Sequence, residues 1–193
     1  MIFAMTQPHI QTRQPDWLRP IRGMLAILCV ALLLLTSTDA DADDYSKEDA
    51  IKAAFIFHFA QFVEWPTDRT ETITIGVLGE DPFNGALEII QGKMVNGQSI
   101  QIKQLMSTDR AVDNVQVLIV GWSDENVATS ILASTADRPI LTIADLDVFK
   151  VEGAIINLFR KGTRQKFGVD RQAASRAGLI LSSQLLQIAA VVN

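Results

Sequence analysis

The sequence predicts an α/β fold: a single three-layer αβα domain whose mostly parallel sheet carries an antiparallel hairpin at one edge. Three observations predict it. From residue 46 onward, helical and extended signals alternate along the chain, the signature of a layered α/β domain. The runs Val115 to Val120 and Pro139 to Ile143 are predominantly apolar, as central strands buried on both faces require. At 193 residues and 48% hydrophobic, the chain has material for one well-buried core, with no repeat, low-complexity tract or internal linker.

Two segments divide the chain, residues 1–42 and 43–193. The first is irregular, with Pro8, Pro15 and Pro20, then Arg19 and Arg22, then an unbroken apolar run from Met24 to Leu35. A membrane-spanning helix needs roughly 20 apolar residues. A basic flank, a shorter apolar core and a small-residue exit instead describe a secretory signal, with cleavage expected near Ala40 or Ala42. A retained, tilted anchor is the alternative. Leu28 ahead of Cys29 is too large for lipoprotein processing.

In the second segment the first helix is expected over Lys47 to Glu64, with Ser46 as N-cap, acidic residues in its first turn and Trp65-Pro66 as its stop. A strand over Thr72 to Leu78 leads to Asp81 and Pro82, a cap and first position for a helix running to about Gln91. Asn96-Gly97 turns into the alternating strand Ser99 to Leu105. Beyond the Val115 strand, Ser123 caps a helix to about Ser134, and the Pro139 strand ends near Asp145. Ala154 to Phe159 and Gln165 to Val169 form the hairpin. A short helix from Arg171 stops at Gly178, and Ser182 or Ser183 opens the last helix.

Composition excludes several chemistries. From Asp43 onward 14 basic and 19 acidic residues leave a net charge of −5, the wrong sign for neutralising phosphates, so no nucleic acid is expected. The only cysteine is Cys29, which leaves with the signal and takes disulfides and sulfur-built metal sites with it. His58 is the only histidine after residue 42 and has no acidic or serine partner at helical spacing. None of the usual nucleotide, zinc or nucleophile motifs occurs. The protein is read as a non-enzyme needing no cofactor or metal.

Two constellations remain. Strand ends of a parallel sheet commonly hold ligands. Here they offer Glu80, Asp81, Trp122 and Asp145, with Arg160 and Arg164 of the basic hairpin as anion contacts. The carboxylates read equally as helix caps and turn formers, and Asp145 can close a turn before Phe149. Separately, Phe55, Phe57, Phe59, Phe62 and Trp65 crowd into eleven positions. Phe55, Phe59 and Phe62, extended by Ile51, share one helical face and read as core. Phe57 and Trp65 fall off that stripe and are the candidate partner-binding residues.

The segments from Ala54-Phe55-Ile56-Phe57 to Trp65-Pro66, Ile75 to Phe83, Val117 to Val120, Ile140 to Asp145, Ala154 to Leu158 and Ala177 to Leu186 together resemble the YfiR family, over roughly residues 50–190. The resemblance implies an αβα domain in the periplasm that binds the periplasmic sensor domain of an inner-membrane diguanylate cyclase. Binding would hold that enzyme inactive, lowering cyclic-di-GMP and biofilm formation. A homodimer is compatible with it. Many members carry a cysteine before the central strand where this chain has Val115, and an asparagine after the hairpin where it has Asp170. Gly153-Ala154 replaces a double glycine. The competing reading is a periplasmic receptor for a nucleotide or amino acid, seated near Trp122.

Overall fold

A computed structural model describes residues 46–66, 71–106, 112–121, 125–145 and 153–192, all inside one compact unit spanning 43–193. Trp122, Ser123, Phe149, Cys29 and the expected cleavage region lie outside the described residues.

Helix α1 (Lys47–Phe62) starts from a reciprocal cap. The Ser46 hydroxyl accepts from the Asp49 amide at 3.1 Å, and the Asp49 carboxylate accepts from the Ser46 amide at 3.2 Å. The helix stops two residues earlier than the sequence suggests. Val63 turns extended (φ −112°, ψ 137°) and with Glu64 forms β1 (Val63–Glu64), which pairs antiparallel with β9 (Ile180–Leu181).

The main sheet contains β2 (Thr72–Gly79), β3 (Met94–Val95), β4 (Gln98–Leu105), β5 (Val117–Gly121), β6 (Leu141–Asp145), β7 (Ile156–Lys161), β8 (Arg164–Val169) and β10 (Val191–Val192). Its order is β10-β8-β7-β6-β5-β2-β4-β3. The run β4-β2-β5-β6-β7 is parallel, while β7 with β8 and β3 with β4 are antiparallel. The sheet is therefore mixed rather than mostly parallel, with antiparallel pairs toward both edges instead of one. The reason is local: Asn96 (φ 51°) and Gly97 (φ 85°) make a two-residue left-handed turn that folds β3 back on β4. The hairpin is also not the edge, because β10 adds in parallel to β8.

Helices are few: α2 (Glu125–Thr135), α3 (Arg171–Arg176) and α4 (Ser183–Ile188) join α1. The helix expected after Pro82 is a turn followed by a five-residue 3₁₀ segment, Ala86–Ile90. Asn84 (φ 49°) and Gly85 (φ 85°) are both left-handed, which an α-helix cannot absorb. Asp81 stabilises this turn, accepting from the amides of Phe83 at 2.9 Å and Gly85 at 2.8 Å.

Alternate strand residues feed two apolar clusters. Ile73, Ile75, Val77, Val117, Ile119, Leu141 and Ile143 pack with Ala53, Ile56, Phe59 and Ala60 of α1. Leu78, Leu118, Val120 and Ala144 pack with Ala128 and Leu132 of α2. Three complete layers are not seen, because α2 is the sole helix contributing to the second cluster among the described residues. On α1 the buried face differs from the aromatic stripe. Ala53 and Ala60 let the helix settle close to the sheet, Phe55 and Phe62 are half-buried at its flank, and Ile51 is 43% exposed. Phe59 still anchors the face, meeting Phe167 of β8 edge-on at 4.8 Å between ring centroids.

Candidate functional site

The carboxyl ends of the parallel strands are occupied by internal charge pairing. Lys52, one turn into α1, is buried and places its Nζ 2.6 Å from Asp145 Oδ2 at the end of β6, also buried. Glu48, one turn earlier, lies 3.9 Å from the same ammonium and 3.1 Å from Arg160 on β7. Asp49 points the other way and accepts from Asn84 Nδ2 at 3.1 Å. Burial pushes the Asp49 carboxyl up, but the hydrogen bonds from Asn84 and Ser46 and the charge of Lys52 outweigh it and hold it below the usual range. The first two turns of α1 are thus fastened by charge to two strands, β6 and β7, and by a hydrogen bond to the turn at Asn84.

This arrangement defines what each predicted ligand residue does. Asp145 partners Lys52, Asp81 caps its own turn, and Glu80 is exposed beside it. The Glu80 carbonyl and the Pro82 ring pack directly against Gly121 at the end of β5, where any Cβ would collide with both. Arg160 faces α1, whereas Arg164 is exposed at the hairpin tip and pairs across it with Lys161. Among the described residues no group of three or more His, Cys, Asp or Glu side chains could hold a metal ion.

The two partner-binding candidates lie at separate places. Phe57 is half-buried, with Lys93 Nζ 5.9 Å from its ring centroid and the His58 ring edge-on at 5.8 Å. Trp65 is half-buried below β1, its indole N–H donating to the Gln116 carbonyl at 3.2 Å. No ring contact joins them.

Beside Trp65 lies a surface that sequence reasoning missed. Pairing of Glu64 with Ile180 sets β9 next to the Trp65-Pro66 stop, and the Pro66 ring packs near Gly178 (φ 71°). An open groove of about 410 Å³ runs between α3 and α4, lined by Arg171, Ser175, Gly178, Ile180, Leu181 and Leu186 among others. Ile180 is 65% exposed and Ile188 58%, with Val191 and Val192 also exposed. The signal was present in Leu179-Ile180-Leu181, whose alternation buries Leu179 and turns Ile180 outward. An apolar triplet does not reveal which of its members faces solvent.

Set beside known proteins, residues 49–190 match a family model described as YfiR/HmsC-like. No curated protein matched the chain. The family model covers well over half of the sequence, and the chain belongs to the YfiR/HmsC-like family.

Proposed function

We propose that this YfiR/HmsC-like chain is a periplasmic regulator that binds the sensor domain of an inner-membrane diguanylate cyclase and restrains it, lowering cyclic-di-GMP. The family match over residues 49–190 carries the reading. The geometry supports binding over catalysis, because the ionisable groups at the strand ends are engaged with one another while large apolar side chains face outward. No helix among the described residues is long and apolar enough to cross a membrane.

The docking surface in this reading is the groove between α3 and α4 with Ile180, Leu181 and Leu186, and Trp65 and Phe57 are further candidate contacts outside that lining. Exposed apolar side chains lining a groove mark interaction sites. Arg171 is the charged residue among those lining it, which suits a partner segment that is apolar with one acidic residue.

The test titrates purified 43–193 protein against membranes containing a diguanylate cyclase with a periplasmic sensor domain, taken from the same cell. Cyclase turnover should fall with saturable dependence on added protein, and Ile180→Gln should weaken the effect without lowering the melting temperature. Unchanged turnover at saturating protein, for each such cyclase of the cell, overturns the proposal.

A further inference from the structure

Helix α1 turns its charges inward. Between residues 49 and 63 the only Asp, Glu, Lys or Arg side chains are Asp49 and Lys52, and both are buried. The exposed residues of the same stretch are Ile51, Ala54, His58 and Gln61, with Phe55, Phe57 and Phe62 half-buried at their flanks. A helix that faces water ordinarily points its charged residues outward. Here the two charges are engaged with Asp145 and Asn84 on the inner side, and three turns of helix present an uncharged face to solvent.

That face matches itself. Ile51, Ala54, His58 and Gln61 succeed one another at steps of three, four and three, so they lie in one line along the helix, and the spacing is the same read from either end. Laid antiparallel on a second copy, the line sets Ile51 opposite Gln61 and Ala54 opposite His58, a small side chain against a ring. The ring is already held in place, with Phe57 edge-on at 5.8 Å and Phe62 stacked at 6.2 Å. The ends of the line carry opposite charge: exposed Lys47 opens α1, and exposed Glu64 follows its last residue by two positions. Antiparallel packing brings Lys47 of each copy toward Glu64 of the other, whereas parallel packing would set like charges together.

We propose that two copies of this chain associate through α1, packed antiparallel about a two-fold axis that passes between the levels of Ala54 and His58. The same face serves on both copies, as closed two-fold symmetry requires. A helix of 16 residues is about 24 Å long, so the contact is small among specific interfaces and the dimer dissociates on dilution. The inference is independent of the cyclase reading, since both surfaces belong to one chain and none of the residues lining the groove between α3 and α4 lies on α1.

Sedimentation equilibrium of a protein made of residues 43–193 tests it. A monomer–dimer equilibrium with a dissociation constant of about 1–100 μM is expected. Ala54→Glu, which sets a carboxylate in each half of the seam, should weaken it about tenfold or more while leaving the circular-dichroism spectrum unchanged. Lys47→Glu should weaken it severalfold, and Glu64→Lys added to that variant should restore it. Residues 43–193 contain no cysteine, so an introduced thiol reads out the register. When Ala54→Cys and His58→Cys chains are mixed and air-oxidised, the mixed disulfide should form ahead of either symmetric one, because its Cβ atoms alone approach within about 4.5 Å. A chain that stays monomeric at about 1 mM, a dimer indifferent to Ala54→Glu, or preferential symmetric disulfides would each overturn the proposal. A monomer whose Ala54→Glu variant no longer restrains the cyclase would also overturn it, and would assign the face to that partner.

Discussion

Lys52 and Asp145 form a buried ion pair, Nζ to Oδ2 2.6 Å, between the second turn of α1 and the end of β6. Neither side chain is more than 5% exposed, so each is the other's nearest counter-charge in a site away from water. Removing one partner strips the other of that counter-charge. Lys52→Met or Asp145→Leu alone should each cost about 3–5 kcal/mol of unfolding free energy, whereas the double change should recover most of it. Urea titrations of the two single variants and the pair supply the cycle, and additive losses would show that the pair is not coupled.

Acid should loosen the start of α1 through Asp49. Its carboxyl titrates below the ordinary range in the folded chain. Its contribution is therefore complete above about pH 4, the value of an unfolded aspartate, and is lost as pH falls through the folded value. Asp49→Ala should reduce stability at neutral pH and shrink the decline of the urea midpoint below pH 4. Ser46→Ala, which removes the hydroxyl cap, should cost about 1 kcal/mol.

Gly121→Ala should be more damaging than Gly76→Ala. At Gly121 the obstacles are the Glu80 carbonyl and the Pro82 ring, which move only with the backbone. At Gly76 they are the side chains of Leu105 and Val115, which can shift rotamer. Overpacking of a core commonly costs about 1–3 kcal/mol, and Gly121→Ala should lie at or above the top of that range. Thermal melts of the two variants check the order.

Reductant should leave a protein made of residues 43–193 untouched. Cys29 is the only cysteine in the sequence, and residues 43–193 contain none. The expected outcome is identical melting temperatures with and without dithiothreitol, and a shift would contradict the prediction.

Substitution along the proposed docking surface should separate binding from folding. Ile180→Gln changes a side chain that is 65% exposed without setting a like charge opposite Glu64, and should alter stability by less than about 0.5 kcal/mol. Trp65→Ala removes a half-buried ring and the hydrogen bond to Gln116, so it should lower both partner affinity and melting temperature. Phe57→Ala should lower affinity by less than Trp65→Ala. Equal affinities for all three variants and the parent would remove this surface from the interface.

Much of the strand plan was legible because apolar runs such as Val117 to Val120 and Leu141 to Ile143 have few alternatives to burial in a sheet. Ser46, Asp170 and Ser182 were recoverable as caps from residue type and position, and each accepts an amide at its helix start. The 3₁₀ segment resembles an α-helix in sequence because Asp81-Pro82 is a good helix opening, while Asn84-Gly85 behind it forms a left-handed turn. The buried face of α1 is hidden in the sequence for a different reason. Aromatics dominate a count of apolar residues, yet close approach to a sheet favours Ala53 and Ala60, and Lys52 is drawn inward by a carboxylate 93 positions away. The charge pairs at the strand ends and the groove beside Trp65 depend on such distant partners, which local pattern does not encode.

The short ribbon of β1 and β9 ties Val63 to Leu181 and Glu64 to Ile180, while Phe55 and Phe59 of α1 rest on Phe167 of β8. The first helix of the domain is thus completed only by its last quarter. A chain made or exported from its N-terminus cannot shelter α1 until that last quarter has emerged. The domain should accordingly close in one late step and be slow to fold for its size.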